Sequence, residues 1–120
     1  LVYHHPPEIE PGTKGTVIST RVGSLYAVQL PNGELHRWFA GFELQPVKSH
    51  FTYCGLLSPG SFARILTTEG HPPLIKAGSV VKIVKTIIQV PYYDFIKDDK
   101  SYHRWMAEFE IVSDSVVSVK

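Results

Sequence analysis

Apolar positions along this chain fall in short runs separated by Gly, Pro, Asn and Asp turn signals, the pattern of short strands. In residues 25–30, Leu25, Ala27 and Gln29 alternate with Tyr26, Val28 and Leu30, the pattern of a half-buried strand. Residues 16–20 (TVIST) are rich in β-branched side chains and predict a short strand, turned into the next one by Gly23-Ser24. Asn32-Gly33 then marks a hairpin whose return strand is 34–39. Ala40-Gly41 predicts a tight 3₁₀ corner before a last strand at 43–47, where Pro46 suits an edge. Further on, 62–66 reads as a strand, and 80–90 reads as a long strand because it is dense in Val and Ile and closed by Pro91. Residues 92–97 and 101–106 flank an Asp98-Asp99-Lys100 turn and predict a second hairpin. No segment predicts a helix of three turns, so the chain reads as all-β.

The second hairpin nearly repeats the first. His36-Arg37-Trp38-Phe39-Ala40-Gly41-Phe42-Glu43-Leu44 returns as His103-Arg104-Trp105-Met106-Ala107-Glu108-Phe109-Glu110-Ile111, with six of nine positions identical. In the same register Tyr26 falls on Tyr93 and Pro31-Asn32-Gly33 on Asp98-Asp99-Lys100. A repeat at fixed spacing means one supersecondary unit used twice. The expected organisation is an extended arm (1–10), a first unit (11–47), a linker (48–60), a second unit (61–114) and a tail (115–120).

Pro11-Gly12-Thr13-Lys14-Gly15-Thr16-Val17, the Pro31-Asn32-Gly33-Glu34 hairpin and Glu43-Leu44-Gln45-Pro46 together resemble a KOW or Tudor-type SH3-like barrel. The resemblance covers about residues 10–47 directly and the second copy only through the internal repeat. It implies two small SH3-like barrels packed together, and it implies no particular function.

Composition adds bounds. The 120 residues carry 12 Lys and Arg against 11 Asp and Glu, a net charge of +1, which argues mildly against a dedicated nucleic-acid module. A single cysteine, Cys54, allows no internal disulfide, and no apolar run is long enough to span a bilayer. With no signal-peptide pattern at residues 1–7, the expected compartment is the cytoplasm.

The candidate chemistry centres on the repeated motif. In a strand His36 and Trp38 share one face and Arg37 takes the other, and likewise His103, Trp105 and Arg104. Either each indole plugs a small core, or it stands at the rim of a groove with the His beside it. On the second reading His36, Arg37, Trp38, Tyr92, Tyr93, His103, Arg104 and Trp105 form a partner-binding surface, since Trp, Tyr and Arg dominate interface hot spots. The alternative is RNA or DNA binding, with the same aromatics stacking on bases and Lys82, Lys85, Lys97 and Arg104 on phosphates. In a regular strand Lys82 and Lys85 would lie on opposite faces, which weakens that alternative. A further alternative is a small-ligand sensor in the cleft between the units. His4, His5, His50, His71 and Cys54 have no metal-ligand spacing, and Cys54 lacks the surroundings of a nucleophile. The sequence therefore predicts a non-catalytic, cofactor-free regulatory binding protein whose partner is a protein.

Overall fold

The computed structural model describes residues 12–48, 56–72, 75–112 and 117–119. The expected N-terminal arm with Tyr3, His4 and His5, together with His50, Phe51, Tyr53 and Cys54, lies outside the described residues. Eight strands follow in order: β1 (Lys14–Gln29), β2 (Leu35–Ala40), β3 (Leu44–Lys48), β4 (Phe62–Ile65), β5 (Val80–Lys97), β6 (Tyr102–Ala107), β7 (Ile111–Val112) and β8 (Val117–Val119). Single 3₁₀ turns at Gly41–Glu43 and Glu108–Glu110 make the corners after β2 and β6.

The sheet is open, which overturns the expectation of SH3-like or KOW-like barrels. Its path runs β3-β4-β5-β1-β8-β7, with β2 added to β1 and β6 to β5, and no pairing joins β3 to β7 among the described residues. The reason lies in the two long strands. Gly23-Ser24 and Pro91 do not end strands as expected; β1 and β5 run through them and pair along nearly their whole lengths, from Gly15↔Lys97 to Gln29↔Lys82. Each long strand then serves both copies, so neither copy closes a sheet around itself.

The pairing also locates a pseudo-two-fold axis. Repeat partners differ by the offset that carries His36 to His103, and the pair Gly23↔Val90 has that same separation. The axis therefore passes through the middle of the β1–β5 ribbon and exchanges β1 with β5, β2 with β6, β3 with β7 and β4 with β8. Beside it the register slips between Gly23 and Leu25, where Ser24 faces Ile88 and Gln89 on the longer side. The ribbon bends at this bulge instead of turning back.

Three apolar clusters follow from this sharing. On β1, Tyr26 and Val28 enter one cluster with Phe39, Leu44, Ala63, Ile65, Val81 and Ile83, while Leu25 and Ala27 enter another with Trp38, Tyr92 and Trp105. This part of β1 is thus buried on both faces. A smaller cluster of Phe95 and Met106, with Ile111 against it, fills the opposite end. Ala63 and Ile65 of β4 complete the core built by the first copy. Close packing at the far end of the ribbon explains Gly15: a Cβ there would run into the Ile96 carbonyl and the Phe95 ring.

The two hairpins share one hydrogen-bond scheme. Gly33 N–H donates to Leu30 O and Lys100 N–H to Lys97 O, both at 2.9 Å. Asn32 Oδ1 accepts the Glu34 N–H and Asp99 Oδ1 the Ser101 N–H, again at 2.9 Å. Both turns place their third residue in the left-handed region, Gly33 at φ 92° and Lys100 at φ 73°. The Ser101 hydroxyl and N–H, then Lys97, hold the Asp99 carboxyl down to about 2. Lysine meets a steric cost in that conformation that glycine does not. Lys100→Gly should therefore raise stability by about 0.5–1 kcal/mol, after the entropy cost of glycine, as read from urea denaturation midpoints.

Candidate functional site

The repeated motif forms the centre of the molecule. Trp38 and Trp105 have no exposed surface, and both belong to the cluster that straddles the axis. Each indole is held by the other copy. Trp38 Nε1–H donates to Glu110 Oε1 at 2.7 Å, and Trp105 Nε1–H donates to Glu43 Oε1 at 2.6 Å. The same oxygens accept the backbone N–H at the foot of their own 3₁₀ turn, Ala40 for Glu43 and Ala107 for Glu110, each at 2.9 Å. Phe109 packs edge-on to Trp38 and Phe42 edge-on to Trp105. A fully buried carboxylate is tolerable only with such partners.

The second carboxylate oxygens break the symmetry. Arg37 Nη1 donates to Glu110 Oε2 at 3.1 Å. Its counterpart Arg104 stands 3.9 Å from Glu43 Oε2 and is turned instead toward Asp94, at 3.3 Å, and the Tyr102 hydroxyl, at 2.7 Å. Those two residues correspond to Ala27 and Leu35 in the first copy, which carry neither a carboxylate nor a hydroxyl. His71, from the loop after β4, takes the place beside Glu43: Nε2 lies 3.0 Å from Oε2, and Nδ1 lies 3.3 Å from Nε2 of the buried His36. Its ring also stacks on Phe39 at 4.3 Å. The result is a continuous buried chain, His36–His71–Glu43–Trp105. Burial works against the Arg104 charge, but Asp94, Tyr102 and Glu69 outweigh it and its pKa goes up.

Several predicted site residues are therefore internal. Trp38, Trp105, His36 and Tyr92 are buried and offer no surface to a partner, while Tyr93, His103, Arg37 and Arg104 are half-buried. Arg37 and Arg104 lie over Trp38 and Trp105 at 5.1 and 4.6 Å, and both are committed to carboxylates. His103 sits beside the Ser101 hydroxyl at 3.1 Å, on its own hairpin. Of the cations assigned to phosphates, Arg104 is committed as above and Lys97 pairs with Asp99 at 3.5 Å. Lys82 and Lys85 are exposed and share one face, contrary to the regular-strand expectation. Their partners on β1 are Gln29 and Ala27, two residues apart, because the register slips at Ala27/Val28.

Two aromatics that the sequence pattern does not single out reach the surface. Phe42 and Phe109 are each 48% exposed, and Arg21 lies 4.7 Å above the Phe42 ring. Glu43, Glu110 and the two Phe residues are invariant between the copies, and that identity was the available signal. Nothing local in the sequence announces the contact of His71 with Glu43. A hollow of about 210 Å³ is walled by Leu30, Asn32, Ile65, Ile75, Lys76 and Ser79, so it belongs to the first hairpin and the 65–79 segment and not to a cleft between the hairpins. Among the described residues no group of three His, Cys, Asp or Glu side chains could hold a metal ion, and no helix is long and apolar enough to cross a membrane. Comparison of the chain with protein-family models, with curated proteins and with solved structures finds no match.

Two outcomes follow. Glu43→Ala strands the Trp105 and Ala40 N–H groups and His71, and should cost about 3–5 kcal/mol in urea denaturation followed by tryptophan fluorescence. Glu43→Gln, which keeps one acceptor oxygen, should cost less. Burial raises the phenol pKa of Tyr92, with Arg21 opposing and Glu43 and Asp94 adding to the rise; burial also raises Tyr26 and Tyr102. A phenol raised in the folded state contributes its full stability below about pH 10, the unfolded value, and loses it as pH climbs through the folded value. The melting temperature should therefore fall above about pH 10, and tyrosinate absorbance should lag behind that of the urea-unfolded chain.

Proposed function

We propose that this is a non-catalytic binding protein that recognises a protein partner through paired aromatic anchors, Phe42 and Phe109. The observation that carries this reading is their exposure. Each is half exposed on a 3₁₀ corner and edge-on to a buried tryptophan of the other copy. A phenylalanine held this way loses little side-chain freedom on binding, which is what an interface anchor requires. Arg21 extends the first anchor with a cation over the ring, a combination enriched at protein interfaces. The buried motif then acts as the mount, and the exposed Phe pair acts as the contact. The pseudo-two-fold axis presents two similar anchors at once and suits a partner that offers two similar surfaces.

The test replaces both rings by a small polar residue that leaves the buried Trp–Glu bonds in place. Phe42→Ser/Phe109→Ser should keep a cooperative melt and lose at least about tenfold in partner recovery, since anchor residues carry about 2 kcal/mol or more each. Recovery from cell lysate, with and without nuclease, is the measurement. Equal recovery by the double variant would refute the anchors, and recovery abolished by nuclease would refute the protein partner.

A further inference from the structure

A second surface differs from the Phe pair in place and in chemistry. β3, β4 and the first half of β5 form one end of the sheet. On their outer face Phe62 lies directly across from Lys82, and Arg64 directly across from Val80. Leu66 continues the β4 row, and Lys85 joins Lys82 through the register slip described above. All six are exposed, including Phe62 and Val80 at 37% and Leu66 at 52%. No ion pair among the described residues engages Arg64, Lys82 or Lys85; Arg64 donates to the Gly78 carbonyl at 3.0 Å. Residues 44–48, 62–66 and 80–90 contain no Asp or Glu.

We propose that this face docks an acidic, apolar segment of a protein partner. The pattern is one cation to one apolar side chain across neighbouring strands. Every second residue of an extended segment would face this surface, and carboxylates alternating with apolar side chains at those facing positions would meet the cations and cover Phe62, Val80 and Leu66. Nucleic acid fits less well, because a phosphate-tracking stripe needs cations in succession, whereas Val80 and Leu66 offer nothing to a phosphate.

The repeat supplies an internal contrast. Carried over by the repeat offset, Lys82 and Lys85 fall on Gly15 and Ile18, and the strand partner of Gly15 is Val117. The duplicated frame keeps Trp and Glu in both copies but has cations at these two positions in the second copy alone. Packing of the shared frame therefore does not require cations there. The docking does not use Phe42 or Phe109, so the two readings can fail separately.

The experiment is panning of a displayed library of short random peptides on the wild-type protein, with counter-selection on Arg64→Glu/Lys82→Glu. Enrichment of sequences that interleave Asp or Glu with Leu, Ile or Phe is the expected result. The best such peptide, made synthetically, should lose about tenfold or more in affinity toward the charge-reversed variant. It should lose less toward Arg64→Gln/Lys82→Gln, a second variant that guards against misfolding, and nothing toward Phe42→Ser/Phe109→Ser. No enrichment over the variant, or enrichment without acidic residues, would overturn the proposal. So would an oligothymidine strand that displaces the peptide and binds with a steep salt dependence.

Discussion

Two hydrogen bonds hold the architecture in place, because each satisfies a buried donor of one copy with a buried acceptor of the other. Trp38 depends on Glu110 and Trp105 on Glu43. An indole N–H buried without an acceptor is costly, and a carboxylate buried without donors is more so. Neither copy can therefore take its observed form alone. The exchange goes with the long strands: β1 and β5 run side by side across the axis, and each tryptophan reaches the other copy's 3₁₀ corner.

On that symmetric frame, a few substitutions between the copies produce the asymmetry. Asp94 and Tyr102 stand where Ala27 and Leu35 stand in the first copy, and they draw Arg104 away from Glu43. Arg37, whose corresponding positions hold Ala27 and Leu35, pairs with Glu110. The oxygen that Arg104 leaves is taken by His71, which ties the loop after β4 into the core and links it to His36. The same divergence reaches the surface, where one sheet end carries Arg64, Lys82 and Lys85 among apolar side chains. A common interior thus supports two ends with different chemistry.

The candidate site was only partly legible. Identity of His, Arg, Trp and Glu across the repeat signalled that these positions are constrained, and they do converge in space. Of the two readings the sequence allows for the indoles, core plug or groove rim with the His beside it, the burial of both tryptophans and of His36 fits the first. A packed core can require polar residues when its own aromatic side chains carry donors, and Glu43 and Glu110 meet that requirement. Phe42 and Phe109 pose the converse problem: an apolar residue retained in a motif reads as core, yet the 3₁₀ corner lifts both rings halfway into solvent.

The sequence alone determined the local units: the all-β character, both hairpins, the 3₁₀ corner after Trp38, the strand at 62–66 and the duplication itself. Those features rest on period-two patterning, turn chemistry and β-branched density, all of which act within a few residues. Tertiary structure decided how the units join. Gly23-Ser24 and Pro91 read locally as breaks, and they became bends because each strand gained a partner along its full length from the opposite copy. The common face of Lys82 and Lys85, the burial of both indoles and the reach of His71 to Glu43 depend likewise on register and on contacts between distant residues. Such contacts leave no periodic trace in the chain, because the residues they join are set by how strands align in space and not by their spacing in sequence.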